Sequence, residues 1–276
     1  MADGRDTRSP ISAAEVVLLC WNVAGRVRVL ARQLERVVEL APDLVCLQEV
    51  SRSTAPIWRS GLIEHGFSHV LMAEAAAGAR PGRLSVLTAA RDPLSPVEIA
   101  GLPWSERALA ACHRGVEYVN LHSPISASPG LVKVLTHEGI HAHLAGRGGP
   151  RVLCGDLNTP RREHANGEVW TFARTKTGRL REERGERWDR AELALIKGLQ
   201  RHGFRDAFRE RHGPAVREIS WKWARWDGGY RLDHLIVSAE VGVDDVRYLH
   251  EWRIEGLSDH SPLLARITRA GSLAPS

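Results

Sequence analysis

Six apolar runs in this chain stop beside polar groups of only a few types. Asn22 follows the run 16–20, Glu49 the run 44–47, His122 the run 116–121, and Asp156 with Asn158 the run 152–154. Near the C-terminus Asp233 stands in Arg231-Leu232-Asp233-His234, and Ser258-Asp259-His260 precedes the last apolar run. Loops at strand ends, held by a rigid sheet, are where catalytic groups are placed, so this pattern points to chemistry. The sharpest segment is Val152-Leu153-Cys154-Gly155-Asp156-Leu157-Asn158-Thr159-Pro160. Side chains alternate along a strand, so Asp156 and Asn158 face one way, and Gly155 and Pro160 punctuate the exit. An isolated Asp-x-Asn is an Asx turn; turn capping explains each segment singly but not six together.

The elements that must position these groups follow from periodicity. Residues 16–20 form an apolar strand; Leu30, Leu34, Val37, Val38 and Ala41 then recur at helical spacing until Pro42-Asp43, and 44–47 read as a second buried strand. A strand–helix–strand opening favours both strands in one sheet. Further strands are predicted at 70–72, 84–88, 108–112, 116–121, 152–154, 232–237, 243–249 and 263–267, with helical periods at 131–144 and 191–199. Many strands with few helices predict two packed sheets with helices outside, not one doubly wound sheet. No repeat or linker is visible. Residues 174–190, dense in Arg and Glu and apolar only at Leu180 and Trp188, read as a solvated loop or helix face.

The chain has 276 residues, 43% hydrophobic and 26% charged, which suffices for a sizeable core. No apolar run approaches the roughly 18 residues that span a bilayer. Residues 1–14 are polar and lack the apolar centre of a secretory signal, so a cytoplasmic location is expected. The expected organisation is a loose tail at 1–14, one domain at 15–269 and a short tail at 270–276. Cys20, Cys46, Cys112 and Cys154 lie in or beside strand-like runs without zinc-site spacing, and read as buried free thiols. The net charge of +5 rests on 34 arginines against four lysines. Arginine's planar fork suits phosphate, so the bias permits a nucleic-acid partner and counts against a strongly cationic substrate.

Six segments, in this order, resemble the endonuclease/exonuclease/phosphatase superfamily of metal-dependent phosphoesterases, which includes exonuclease III-type abasic-site endonucleases and deoxyribonuclease I. They are Trp21-Asn22-Val23-Ala24-Gly25, Leu47-Gln48-Glu49, Asn120-Leu121-His122, Gly155-Asp156-Leu157-Asn158, Arg231-Leu232-Asp233 and Ser258-Asp259-His260. The resemblance implies an α/β fold, a four-layered α/β sandwich of two packed mixed β-sheets, with the active site at one edge. It implies that Glu49 ligates Mg²⁺, or Mn²⁺ in its place, with Asn22 and Asp259 close by. Oxygen ligands from few carboxylates plus water suit such a hard cation. Asp233 would orient His260, a pair that either deprotonates water or holds a phosphate oxygen. Asp156 would align or activate the attacking water, Asn158 would bind phosphate, and His122 would contact phosphate or assist the leaving group. Which of Asp156 and His260 is the base stays open. The implied partner is DNA, damaged duplex included; no membrane partner and a monomeric state are expected.

His122 departs from exonuclease III, which has tyrosine in an Asn-Gly-Tyr segment, and resembles deoxyribonuclease I and the phosphatase branches. Ser123-Pro124-Ile125-Ser126 also lacks the amide usual in abasic-site enzymes. In the other direction, Asn22-x-x-Gly25 before an Arg-bearing helix, and Trp221-Lys222-Trp223-Ala224-Arg225-Trp226 before Arg231-Leu232-Asp233, resemble exonuclease III. Trp223 and Trp226 could stack on a base, or Trp221 and Trp223 could form a strand's buried face. Arg161, with Arg162, Arg174 and Arg179, could contact backbone phosphates. One competing motif, His137-Glu138-Gly139-Ile140-His141, matches the zinc-protease pattern, though Gly139 weakens its helix and no third ligand stands out. The sequence therefore predicts a DNA nuclease of exonuclease III or abasic-endonuclease type. The alternatives are hydrolysis of a small phosphoester, such as a lipid head group or sugar phosphate, and a non-catalytic binding protein on the same scaffold.

Overall fold

The opening strand–helix–strand unit forms as expected. β1 (Glu15–Asn22) and β2 (Leu44–Ser51) pair in parallel through α1 (Leu30–Leu40). The computed structural model describes residues 15–75, 84–223 and 228–269. Both expected tails lie outside them. β2 is followed by α2 (Ala55–Glu64), β3 (His69–Met72) and β4 (Leu84–Ala90). The first sheet runs Val241–Tyr248, Leu263–Arg269, β1, β2, β4, β3. The second contains β5 (Ser95–Val97), β6 (Ala108–His113), β7 (Val116–His122) and β8 (Arg151–Asp156), in the order Arg205–Asp206, Asp233–Val237, β8, β7, β6, β5. Each sheet mixes parallel and antiparallel pairs.

Period-two alternation sorts each strand between two cores. From β1, Val16, Leu18 and Cys20 point between the sheets, where they meet Tyr118, Val152, Cys154 and Leu235 of the other sheet. Leu19 and Trp21 point outward onto Val37 of α1 and Trp58 and Leu62 of α2. The second sheet likewise turns Val119, Leu121 and Leu153 onto Ile140 and Leu144 of α3 (Val132–Ala145) and Leu195 of α4 (Gly185–Ile196). The result is the four-layered α/β sandwich. Each such fully buried aliphatic side chain stabilises it by roughly 1.5–3 kcal/mol. Cys20, Cys46 and Cys154 are buried free thiols, and Cys112 is half-buried. No described helix is long and apolar enough to cross a membrane.

Besides short elements such as β5, two helices of ten residues or more differ from the periodicity reading. α2 was not apparent because Pro56 and Gly61 interrupt its pattern; Gly61 is there for packing, since a Cβ would come within 2.1 Å of Leu34 Cδ2 on α1. α4 begins at Gly185, inside the segment expected to be solvated, and buries Trp188, Asp189 and Glu192. The charges of that segment are partly internal: Arg174 grips Asp189 through two nitrogens, and Arg184 covers the Trp188 ring at 4.1 Å.

A polar seam joins the sheets beneath the site. The Gln48 amide donates to Asn120 Oδ1 at 2.8 Å, and Asn120 Nδ2 donates to Leu87 O at 3.0 Å, all buried. Such a pair fixes the offset between sheets because a shift would leave buried amides unpaired.

Candidate active site

Strand register brings the polar exits into one row. In the second sheet His122 pairs with Asp156 across β7 and β8, and Asp156 with Asp233 across the next pair. In the first sheet Asn22 pairs with Gln48, beside Glu49. The β2–β4 register breaks between Leu47 and Val50, and within that bulge Glu49 takes φ 57°. A bulge re-aims a side chain, and here it turns a carboxylate toward the opposite sheet. Gly155 permits the other half, with φ 132° and a Cβ position only 2.0 Å from Leu121 O on β7.

Asn22 stands at the junction, its Nδ2 donating to Glu49 Oε1 at 3.2 Å and to Asp156 Oδ2 at 3.0 Å. Its Oδ1 accepts from Ala24 N at 2.9 Å, which fixes the amide so that nitrogen, not oxygen, faces the carboxylates. His122 Nε2 lies 3.4 Å from Glu49 Oε1 and 3.9 Å from Asp156 Oδ2. His260 Nδ1 meets Asp233 Oδ2 at 2.9 Å, leaving Nε2 3.8 Å from Asp156 Oδ2. Asp233 is itself steadied by Ser220 Oγ, donating at 2.6 Å. Asn158, in the left-handed region at φ 50°, gives its backbone N–H to Asp156 Oδ1 and its side-chain amide to Ser123 O. Asp259 is half-exposed; Trp221 Nε1 holds its Oδ2 at 2.9 Å while Oδ1 is buried without a hydrogen bond.

Burial, with Asp233 and Glu49 near by, pushes the Asp156 carboxyl up to about 7, against the pull of His260 and the Asn158 N–H. Burial works against a charged His260, but Asp233, Asp156 and Asp259 together raise it to about 10. Burial, with Arg107 and His260 beside it, holds His122 well below its ordinary range, so that ring is neutral. Neighbouring histidines thus occupy opposite protonation states, because Asp233 in direct hydrogen-bond contact outweighs burial at His260, whereas at His122 burial dominates and Arg107 adds to it. The arrangement provides an imidazolium donor, a carboxyl that exchanges a proton near neutral pH, and a neutral imidazole.

The profile of the Endonuclease/Exonuclease/phosphatase family matches residues 19–260. The chain belongs to this family. Its members hydrolyse phosphoric esters, and so this chain is a phosphoric ester hydrolase. An AP endonuclease from Archaeoglobus fulgidus superposes with TM-score 0.70 at 22% identity, covering 91% of this chain and 98% of that one. The 3′ phosphatase NExo from Neisseria, bound to a product DNA hairpin, gives 0.64 at 23%, covering 91% and 98%. A humanized D. rerio TDP2 gives 0.66 at 14%, covering 93% and 100%. Comparison with curated proteins gives no match.

Family members use a divalent metal, and the donor set here fits one. Ligand atoms of Glu49, His122 and Asp156 lie within 4.8 Å of one another, as do those of Asp156, Asp233 and His260. Asp259 is in neither group; its Oδ1 accepts no hydrogen bond and lies 4.0 Å from Arg26 Nη2. The His-Glu-x-x-His segment forms no such group among the described residues. His137 is buried with Nε2 2.7 Å from Ser123 Oγ, Glu138 is bound by Arg187, and His141 packs edge-on against His202. The three side chains serve separate contacts, which removes the zinc-protease reading.

Arg107 belongs to the site and escaped the sequence. Ala108 pairs with Leu121, so the residue before it stands opposite His122, and Arg107 Nη1 lies 3.2 Å from His122 Nδ1. Nothing in Trp104-Ser105-Glu106-Arg107 signals this; only the β6–β7 register does. Of the aromatic candidates, Trp223 is 39% exposed and packs edge-on against Trp221 and Tyr230, while Tyr230 meets Phe172 in the same way. Trp221 and Lys222 pair with Gly229 and Tyr230 as a two-stranded ribbon, with Trp221 half-buried and Trp223 exposed, so Trp221 and Trp223 do not form one buried strand face. Trp226 lies outside the described residues. Arg161 stands over the Phe172 ring at 5.9 Å, whereas Arg174 is engaged by Asp189.

Proposed function

We propose that this chain is a Mg²⁺-dependent phosphodiesterase acting on DNA, of exonuclease III or abasic-endonuclease type, with Mn²⁺ as a substitute. The observation that carries this reading is that the segments bearing Asp156 and Asp233 continue into the wall of a cationic depression, at Pro160, Arg161 and Arg162 and at Gly229, Tyr230 and Arg231. An open depression of about 490 Å³ is lined by Arg161, Arg162, Arg217 and Tyr230. Its carboxylates are already taken, Glu163 by Arg209 and Arg231, and Glu218 by His250. The remaining guanidiniums suit successive phosphates, and Trp223 and Tyr230 offer ring faces to a base or sugar.

Glu49 and Asp259 would hold the cation. When bound, it would polarise the phosphoryl oxygens and offset charge gained in the displacement. Asn22 orients the Glu49 and Asp156 carboxylates. Asp156, whose carboxyl exchanges its proton near neutrality, takes the proton from the attacking water. His260, protonated and aimed by Asp233, donates through Nε2 to a non-bridging phosphate oxygen. Neutral His122, backed by Arg107, serves the leaving oxygen's side, and Asn158 holds phosphate.

The test is incubation with Mg²⁺ and three substrates: a duplex with one abasic site, a plain 3′-recessed duplex and a chromogenic phosphodiester. Cleavage of a duplex, abolished by EDTA, with binding that weakens at a log-log salt slope of about −0.9 per neutralised phosphate, supports the reading. Turnover of the small ester alone, insensitive to salt, would replace it with the small-phosphoester alternative. EDTA-resistant cleavage would remove the metal.

A further inference from the structure

Beneath the catalytic loop lies an ion pair that touches neither the cleft nor the surface. Lys133, on α3, and Glu192, on α4, have 0% and 1% of their side chains exposed, with Nζ 3.1 Å from Oε1. Replacing a buried ion pair by apolar side chains is often neutral or stabilising, so stability alone does not explain it. Its remaining bonds do. Lys133 Nζ donates to Asn158 O at 2.7 Å and to Ser126 Oγ at 3.3 Å. Glu192 Oε2 accepts from Thr159 Oγ1 at 2.7 Å and from Phe172 N at 2.9 Å, and Oε1 accepts from Trp188 Nε1 at 2.7 Å.

We infer that the Lys133–Glu192 pair is the positioning unit of the active site, locking Asn158 in its left-handed conformation and tying the 156–160 loop to the wall at Phe172. The inference rests on the catalytic reading of Asp156 and Asn158. A non-glycine residue at φ 50° costs energy unless its surroundings hold it. Asn158 is held by four bonds: its carbonyl accepts from Lys133, its side-chain amide donates to Ser123 O and to Asp156 Oδ2, and its N–H donates to Asp156 Oδ1. Ser123 is braced in turn by His137, 2.7 Å from its hydroxyl, which gives the first histidine of the His-Glu-x-x-His segment its place. Releasing the carbonyl frees Asn158 N–H to swing away from Asp156. Because Glu192 also bonds Phe172 N, the same release loosens Phe172 against Tyr230.

The test uses the full chain with Lys133→Met and Glu192→Gln combined, so that no buried charge is left unpaired. Two measurements are made: amide hydrogen exchange across the chain, and steady-state kinetics on whichever substrate the wild type cleaves. Exchange at residues 156–160 should rise about 10-fold while the inter-sheet strands keep their protection. The kcat should fall about 10- to 100-fold with KM nearly unchanged, the size expected for a displaced catalytic group. That loss should shrink in an Asn158→Ala background, where the positioned side-chain amide is already absent and only the backbone hold on Asp156 remains to be lost. Unchanged exchange at 156–160, a uniform rise over the whole chain, or a kcat loss of undiminished size in the Asn158→Ala background would each overturn the inference. If the double variant does not fold, Thr159→Val severs the Glu192 limb alone. A rise in exchange at 156–160 of about 3-fold or more then supports the inference, and none overturns it. A wild type that cleaves no phosphodiester would instead sink the proposed function, while the exchange result still judges the pair.

Discussion

Asp156 and Asp206 are both buried carboxylates of the second sheet, yet their surroundings drive them in opposite directions. Burial alone would raise both. At Asp206, Arg231 donates at 2.6 Å and His234 Nδ1 lies at 3.4 Å, and the guanidinium with this hydrogen-bonding ring holds the carboxyl far below its usual range against the cost of burial. Glu163, gripped by Arg231 and Arg209, is drawn down to about 2 despite burial. At Asp156 the one cation, His260, stands 3.8 Å away, while Asp233 and Glu49 crowd the site with like charge, and the carboxyl rises to about 7. The difference lies in the partner at contact distance, a guanidinium at 2.6 Å against an imidazolium at 3.8 Å, not in depth. A charge-balanced network holds shape, and one with carboxylates in excess retains capacity to bind and exchange protons.

The largest expected effect separates the two clusters by activity. Asp156→Asn and His260→Ala should each lower kcat by about 10²–10⁴-fold, as loss of an acid or base does, while Asp156→Asn, which keeps the shape and leaves the His260–Asp233 pair intact, shifts thermal unfolding little. An active Asp156→Asn enzyme would show that the carboxylate-rich cluster is ornamental. Arg231→Met is the reciprocal change: it strands Glu163 and Asp206 and should cost about 3–5 kcal/mol in denaturant unfolding. Stability within error of wild type would erase the contrast.

A smaller effect concerns His137, which burial and Lys133 hold down to about 3. Its folded value lies below the ordinary 6.5, so between about pH 6.5 and 3 the unfolded chain binds the extra proton. Stability therefore falls as pH falls, by about 1.4 kcal/mol per unit from this group. His137→Gln should flatten that acid limb in denaturant titrations; an unaltered slope would mean the ring is not buried neutral. Trp223→Ala should weaken duplex binding by about 1–3 kcal/mol with kcat preserved, as measured by titration. Smallest of all, Glu138→Gln removes only an exposed pair with Arg187 and should change stability by about 0–1 kcal/mol, with Mg²⁺-dependent activity intact. A large loss there would revive the zinc-protease motif.

Most strands were legible in the sequence because a strand buried on both faces is a local apolar run. The strands at 16–20, 44–47 and 116–121 fall within β1, β2 and β7, extended by a few residues. The site was legible because those runs stop where their polar residues begin. Legibility ended where partners are distant in the chain. Arg107 is placed by antiparallel register with β7, and Glu49 is aimed by a bulge that depends on β4.

By itself, then, the sequence determined the two-sheet architecture and the polar exits that converge, since both follow from period and from where apolar runs stop. Only the tertiary structure decided what those groups are chemically. Asp156 and Asp206 look alike as letters, and the proton affinity of each is set by which cations other segments bring to it. Lys133 and Glu192, 59 positions apart and unremarked in sequence, meet because α3 and α4 pack together, and their burial couples Asn158 to the fold.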